Sequence, residues 1–422
     1  AYEKLEPEEG AYYDGMIEID LSKVECMIAL PFHPSNALPI RQFRERLPEI
    51  VKEIEEEGQK IKGENGKAFS ILSHIRDGEF YVDQALVSGC SGGLFENIVA
   101  MADILKGCAI PGEGLNLGIN PASLPVMADL MNQGIAGELA VTGATLRPCI
   151  CGPCFGVTDV PADNQLSIRH VTRNYPNREG SKPGQGQMAG VCLMDARSIA
   201  ATVRNGGRLT AATELPQVEY RNLHHRFDPA IYRNQVFDNY QKGKEEEPLV
   251  MGPNIADWPR MEPLEKHLLL KVTGAYEGAV TTDELIPSGE ASSFRSNPEK
   301  ISDYMMISRD AGFVERAKAV RTQEQQRREQ QAVRDPELQK LLDALCRQEA
   351  CGISQILLGG LMAARQIGDG SSREQAASSQ KVLGGFANLA NEYATKRYRS
   401  NLINWGILPL RTEESFLLEE GD

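Results

Sequence analysis

The sequence predicts an α/β protein built on a largely parallel sheet. Three strand-then-helix units carry that expectation. Residues 84–89 (QALVSG) are a short apolar run ending in Ser-Gly, and residues 94–105 follow at helical spacing. Residues 117–134 and 191–205 hold further helix candidates, each set between short apolar runs. Strands that alternate with helices read as βαβ units, which close into parallel sheets.

The remaining elements follow in order. Residues 16–21 (MIEIDL) alternate apolar and polar side chains, the pattern of a half-buried strand. Residues 42–60 are rich in Glu, Lys and Arg, with Leu47, Ile50, Val51 and Ile54 at helical spacing, so a surface helix is expected. After Thr213 the composition turns polar and Pro-punctuated, which marks residues 214–262 as an interdomain linker. Residues 267–272 (HLLLKV) then open a second domain as a strand. Residues 310–345 are highly charged and read as a long solvated helix, broken near Pro336. Residues 355–362 are strand-like and run into a loop at 368–373. The expected division is therefore 1–213, a linker at 214–262, and 263–422.

Composition narrows the function. The 422 residues carry a net charge of −14, which argues against general nucleic-acid or anionic-membrane binding. The longest apolar run, 356–364, is too short to span a bilayer and contains two glycines. Nine unevenly spaced cysteines, with no secretion signal at the acidic N-terminus, point to reduced thiols in a cytoplasmic setting. The chain opens on Ala1, which suggests a cleaved or truncated chain.

Several motifs could carry chemistry. RPCICGPCFG places Cys149, Cys151 and Cys154 within ten residues. The C-x-x-C spacing lets Cys151 and Cys154 face one centre, with Gly152 and Pro153 fixing a tight turn. A thioredoxin-like redox pair needs a helix start that FGVTDV does not supply. A four-cysteine zinc site needs a second C-x-x-C, which the chain lacks. An iron–sulfur cluster needs thiolates that can come from distant loops. On the residues alone these readings stay open. Cys90 sits in SGCSGG, a small-residue loop that can present a thiolate and backbone amides, although a lone Cys is as readily a packed one. TRNYPNREG holds Arg173 and Arg178 in an irregular loop, suited to binding carboxylates or, more plainly, to surface charge. DGSSREQA offers Ser371 and Ser372 beside Arg373; the plainer reading is a helix cap with Glu374 closing a capping box. The G-x-G-x-x-A at 184–189 follows no strand and is set aside as a dinucleotide site.

In order, Cys90, CGPC at 151–154, RNYPNR at 173–178, TTD at 281–283 with Arg295 beyond it, and GSSRE at 370–374 resemble the aconitase superfamily. YDGMIEIDL near the start and EYATKRYRSNLINWGILPL near the end extend the resemblance over essentially the whole chain, nearest to a poorly characterised hydratase-like branch. The resemblance implies an α/β domain, a linker and a swivelling C-terminal α/β domain. It implies a hydro-lyase acting on a small hydroxylated di- or tricarboxylic acid. A [4Fe-4S] cluster would be bound through Cys90, Cys151 and Cys154, leaving one iron open. Ser371 would move the proton, and Arg173, Arg178, Arg295, Ser372, Arg373 and Asp283 would bind substrate or support the site. It also implies that two further domains precede this one in the complete protein. Departures stand at GCSG around Cys90, at Thr172, at Glu284 and Gln375 where the family has His, and at the extra thiol Cys149. Two other classes are compatible with the residues: a non-catalytic iron–sulfur sensor or RNA-binding protein, the RNA disfavoured by the acidic balance, and a structural zinc site.

Overall fold

The computed structural model describes residues 6–64, 66–110, 114–215, 217–236, 238–287, 291–330, 336–413 and 418–422. The first part runs β1 (Met27–Ala29), β2 (Ala37–Pro39), α1 (Ile40–Glu45), α2 (Leu47–Lys62), a hairpin of β3 (Ile75–Arg76) and β4 (Glu79–Phe80), β5 (Gln84–Ser88), α3 (Gly89–Gly92), α4 (Phe95–Leu105), β6 (Asn116–Asn120), α5 (Leu124–Asn132), α6 (Ile135–Val141), β7 (Thr145–Leu146), β8 (Leu166–His170), β9 (Gly190–Met194) and α7 (Ala196–Arg204). Seven of these strands form one sheet in the order β2-β1-β9-β8-β5-β6-β7. From β9 to β7 every pairing is parallel; β1 joins both its neighbours antiparallel. The parallel core explains why β5 is buried at every position: helices cover both faces.

The second part runs α8 (Ala230–Gln235), β10 (His267–Thr281), α9 (Thr282–Leu285), α10 (Pro298–Ser302), α11 (Phe313–Gln330), α12 (Pro336–Glu349), β11 (Ile356–Asp369), α13 (Arg373–Val382), β12 (Gly385–Tyr393), α14 (Lys396–Asn404) and β13 (Leu408–Arg411). Its sheet is wholly parallel, in the order β10-β11-β12-β13. Between the two sheets the described residues of 217–262 carry a single short helix, α8, with no buried residue on it. Among the described residues no helix is long and apolar enough to cross a membrane.

Four sequence expectations need correction. Residues 16–21 form no strand: Met16 and Ile17 are 87% and 89% exposed, and none of the described strands pairs with them. Alternation alone does not make a strand without a neighbour to bond. The surface helix expected at 42–60 is two helices, broken at Arg46 ahead of Pro48; Leu47, Ile50, Val51 and Ile54 do face the core. The loop expected around Cys90 is one helical turn, α3. The charged run after Asp310 is not solvated throughout. Glu324 and Arg327 are buried and ion-paired, and Arg327 donates to the Ile356 carbonyl at 2.8 Å, tying α11 to β11. The expected break near Pro336 falls at residues 331–335, outside the described residues.

The loops that matter leave the carboxyl ends of parallel strands, where open α/β sheets place their ligands. Residues 89–93 follow β5, 147–156 follow β7, and 172–180 follow β8. In the second sheet Thr282 and Asp283 follow β10, and 370–373 follow β11. The 172–180 loop is anchored by Asn174. Its buried amide donates to the Leu30 carbonyl at 2.7 Å and the Val191 carbonyl at 2.9 Å, bridging the chain after β1 to β9. Asn174→Ala would remove a donor from the buried Val191 carbonyl and from the part-buried Leu30 carbonyl. It is expected to lower unfolding free energy by about 2 kcal/mol, read from urea denaturation.

Candidate functional site

The cysteine turn is positioned from below by a residue that the sequence reading missed. Arg169, on β8, is fully buried. Its guanidinium donates to the Pro153 carbonyl at 2.8 Å, the Asp159 carbonyl at 2.7 Å, Gln84 at 3.0 Å and Ser167 at 2.9 Å. It therefore staples the Cys-Gly-Pro-Cys turn to β5 and β8. Burial pulls its pKa down to about 10, with Glu179 and Asp159 opposing, so it remains a cation at neutral pH. The sequence signal was faint: one arginine inside the apolar run LSIRH.

Residues 152–155 make a tight 3₁₀ turn, closed by the Cys154 amide donating to the Cys151 carbonyl at 3.0 Å. The turn abuts the Cys90 turn. A Cβ on Gly89 would lie 3.3 Å from the Cys154 sulfur, and Gly89 has φ +70°, so a side chain there would be both crowded and strained. Burial pushes the Cys154 thiol above its ordinary pKa; the neighbouring Cys151 and Cys90 add to this, while Arg178 pulls the other way. Cys90 and Cys151 are exposed, and all nine cysteines are free thiols. Cys149 turns elsewhere: its sulfur is 3.9 Å from that of Met127 on α5, and burial raises its pKa. Among the described residues no three His, Cys, Asp or Glu side chains converge closely enough to grip one metal ion.

Arg173, Arg178 and Cys154 line one small cavity beneath the turn. From there Arg178 reaches the second sheet. Its Nη1 donates to Asp283 Oδ1 at 2.6 Å, with side-chain exposures of 9% and 6%. Tyr175 makes a parallel link, its hydroxyl donating to Asp369 at 3.2 Å; burial and that carboxylate push its pKa up to about 12. Beside the ion pair opens a cavity of about 760 Å³, lined by residues of both parts, among them Val157, Lys182 and Ser308.

Asp283 also acts on Arg295, whose pKa is lowered by burial and supported by this carboxylate. Gln375 clamps Arg295 from both ends: its Oε1 accepts from the guanidinium and its Nε2 donates to the Arg295 carbonyl at 3.0 Å. Gly370 has φ +120°, and a Cβ there would lie 2.0 Å from the Thr282 hydroxyl, so the 370–373 turn is pressed against Thr282 and Asp283. Ser371 is exposed beside this contact, Ser372 caps α13 without a side-chain bond, and the half-buried Arg373 has an Nε without a partner. The expected capping box is absent. Glu374 instead accepts from Trp405 Nε1 at 2.6 Å and from Asn401. A capping box exists elsewhere, at Thr281 and Glu284, where it fixes the start of α9.

The three thiols, Arg173, Arg178, Asp283 and Arg295 thus form a continuous set of neighbours. Ser371 joins it through Gly370 and Thr282, without a direct contact to a thiol among the described residues.

The model of the aconitase family (aconitate hydratase) matches residues 1–201, and that of the aconitase C-terminal domain matches residues 275–415. The mitochondrial aconitate hydratase of Gracilaria gracilis is 24% identical over 97% of this chain and 49% of its own length. That of Saccharomyces cerevisiae is 23% identical over 96% of the chain and 49% of its own length. The 3-isopropylmalate dehydratase large subunit 2 of Pyrococcus furiosus is 28% identical over 42% of the chain and 37% of its own length. The chain spans about half the length of the aconitate hydratases it matches.

Two outcomes follow from the geometry. Arg178→Met removes the ion-pair partner of the buried Asp283, leaving its charge to weaker neighbours such as Arg295, and is expected to cost about 3 kcal/mol in chemical denaturation, a loss that Asp283→Asn in the same chain partly restores. In the metal-free protein, iodoacetamide should label the exposed Cys90 and Cys151 well before Cys154 and Cys149, whose thiols burial keeps protonated; peptide mass spectrometry over a time course at pH 7 reads the order.

Proposed function

We propose that this chain, which belongs to the aconitase superfamily, carries a hydro-lyase site for a hydroxylated di- or tricarboxylic acid. The observation that carries the reading is the buried Arg178–Asp283 pair, which joins the loop beside the thiols to the turn beside the serine. The division of labour proposed is thiols from 1–213, the serine from 263–422, and 214–262 as the linker between them.

The donor set suits an iron–sulfur cluster. Cys90 and Cys151 are exposed thiols beside the half-buried Cys154, and the missing side chain of Gly89 leaves the flank of Cys154 clear. Burial and the neighbouring thiols raise the Cys154 pKa, and Arg178 beside it pulls the other way. Cys90, Cys151 and Cys154 would hold a [4Fe-4S] cluster, which when bound supplies Lewis acidity toward a substrate hydroxyl. Arg173, Arg295 and the remaining N–H groups of Arg178 take the carboxylates, for which a guanidinium fork is suited. Ser372 adds a hydroxyl with no bond of its own at the helix cap, and Asp283 orients Arg178. Ser371 accepts the proton from the carbon next to a carboxylate during dehydration and returns it on hydration. A serine oxygen does this only as an alkoxide. The neighbouring Arg373 and the first amides of the ten-residue α13 favour that charge. Nine unevenly spaced cysteines suit a reducing compartment, taken here as the cytoplasm.

Anaerobic reconstitution followed by iron and sulfide analysis tests the cluster. About four of each per chain are expected, lost in Cys90→Ser, Cys151→Ser or Cys154→Ser and kept in Cys149→Ser. Stoichiometric zinc without sulfide, or loss of iron in Cys149→Ser alone, would sink the ligand assignment. Ser371→Ala should keep the iron and lower turnover on a hydroxy-acid panel by about a thousandfold. Loss of iron in that variant would make the serine structural.

A further inference from the structure

A second concentration of charge lies apart from the thiols and the serine. At the carboxyl ends of β11, β12 and β13 a cavity of about 860 Å³ is lined by Arg365, Lys396, Arg399 and Arg411, with Glu392 as its sole lining acid. None of the residues proposed above to bind cluster or substrate lines it. In a chain of net charge −14, four cations around one cavity run against the overall balance. None of the four makes an ion pair among the described residues, and all four are exposed. Adjacent like charges repel, and an anion seated between them removes that cost.

The cations are carried on a fixed frame. Arg365 lies on β11 and Arg411 on β13, either side of β12; the Arg411 Nε donates to the Asn391 carbonyl at 3.1 Å, leaving its terminal amino groups available. Lys396 and Arg399 stand three apart in the first turn of α14 and so share one helix face. The Thr395 cap bonds the Tyr398 amide, while the Lys396 and Arg397 amides have no acceptor within the helix. The Tyr393 hydroxyl is tied to the Asn388 and Leu410 carbonyls at 3.0 Å, which fixes the wall between strand and helix. A cavity of this volume admits a metabolite rather than a lone ion.

We infer that this end of the four-stranded sheet is a binding site for a small polyanion bearing two or more phosphate or carboxylate groups. Arg365 and Arg411 hold it from the strands, and Lys396, Arg399 and the α14 amides hold it from the helix. Glu392, engaged by Gln366 Nε2 at 3.3 Å, opposes it and sets the lower limit on ligand charge.

Titration calorimetry on the whole chain, at about 0.1 M salt, tests this with two probes: inorganic tripolyphosphate and propane-1,2,3-tricarboxylate. One saturable site per chain is expected for at least one probe, and the probe that binds identifies the anionic group. Arg399→Ala and Arg411→Ala should each weaken it about tenfold, and Glu392→Gln should tighten it. Arg397→Ala, on the same helix but outside the cavity, should leave it unchanged. These side chains are exposed, so thermal melts should match the parent. Absence of saturable heat with both probes overturns the site, as does an Arg397→Ala effect equal to that of Arg399→Ala, which would mean diffuse charge. Cys90→Ser and Ser371→Ala should bind the probe as the parent does. Loss of binding in either would fold this cavity into the other site and end the inference, whereas loss of the cluster alone bears only on the hydro-lyase reading.

Discussion

The buried ion pair between Arg178 and Asp283 is the constraint on which the arrangement of the site depends. Each side chain is almost withdrawn from water, and they meet at 2.6 Å. Neither charge is easily left there alone, because an isolated buried ion loses several kcal/mol of hydration. A buried pair is weak evidence for net stability, yet it is strong on geometry: the second sheet must sit where Asp283 meets Arg178. The Tyr175–Asp369 hydrogen bond and the contact of Gly370 with Thr282 then fall into place around it. One pairing thereby sets the distance between the thiol-bearing turns and the serine-bearing turn.

Arg169 plays the corresponding part inside the first sheet. A buried cation needs compensation, and it finds this in two carbonyls, one amide oxygen and one hydroxyl, with Glu179 and Asp159 nearby. Two of those acceptors belong to the cysteine turn and the residues just after it. The chain there has only short-range turn hydrogen bonds of its own, such as Cys154 N–H to the Cys151 carbonyl, so its anchorage comes from the sheet below. The same cation sits within the field of Cys154. A single residue thus fixes the turn and places a buried cation beneath Cys154, whose own pKa burial raises.

Much of the fold was legible because its signals are local. The β5-to-α4 unit, the strand-to-helix pairs at β6 and β9, and the buried face of α2 all show in periodicity over a dozen residues or fewer. What failed was whatever depends on a distant partner. Residues 16–21 have a strand's alternation but no strand beside them among the described residues. Glu374 has the spacing of a capping residue, but Trp405 and Asn401 outcompete the backbone amide for its carboxylate. Glu324 and Arg327 read as a solvated face, although β11 covers them. The candidate site was legible as a list of residue types in order. Its assembly was not, since Arg178 and Asp283 are separated by 105 positions and nothing local announces their pairing.

The two positions where this chain departs from the family's histidines have acquired structural work, and this bears on what the site can do. Glu284 accepts from the Thr281 amide and hydroxyl and pairs with Arg309 at 2.9 Å, so its carboxylate is committed to holding α9 in place behind Asp283. Gln375 is committed to Arg295 at both ends of its amide. An amide cannot exchange protons near neutral pH, and a carboxylate already shared between a helix cap and a guanidinium is a poor donor. The proton handling that an imidazole could perform at either position is therefore not available from these side chains. What they provide is orientation: Glu284 steadies the element that presents Asp283, and Gln375 steadies the guanidinium of Arg295. On the hydro-lyase reading proposed above, the chemistry left to this part of the site would fall on Ser371 and Arg373, and its selectivity on how firmly the arginines are held.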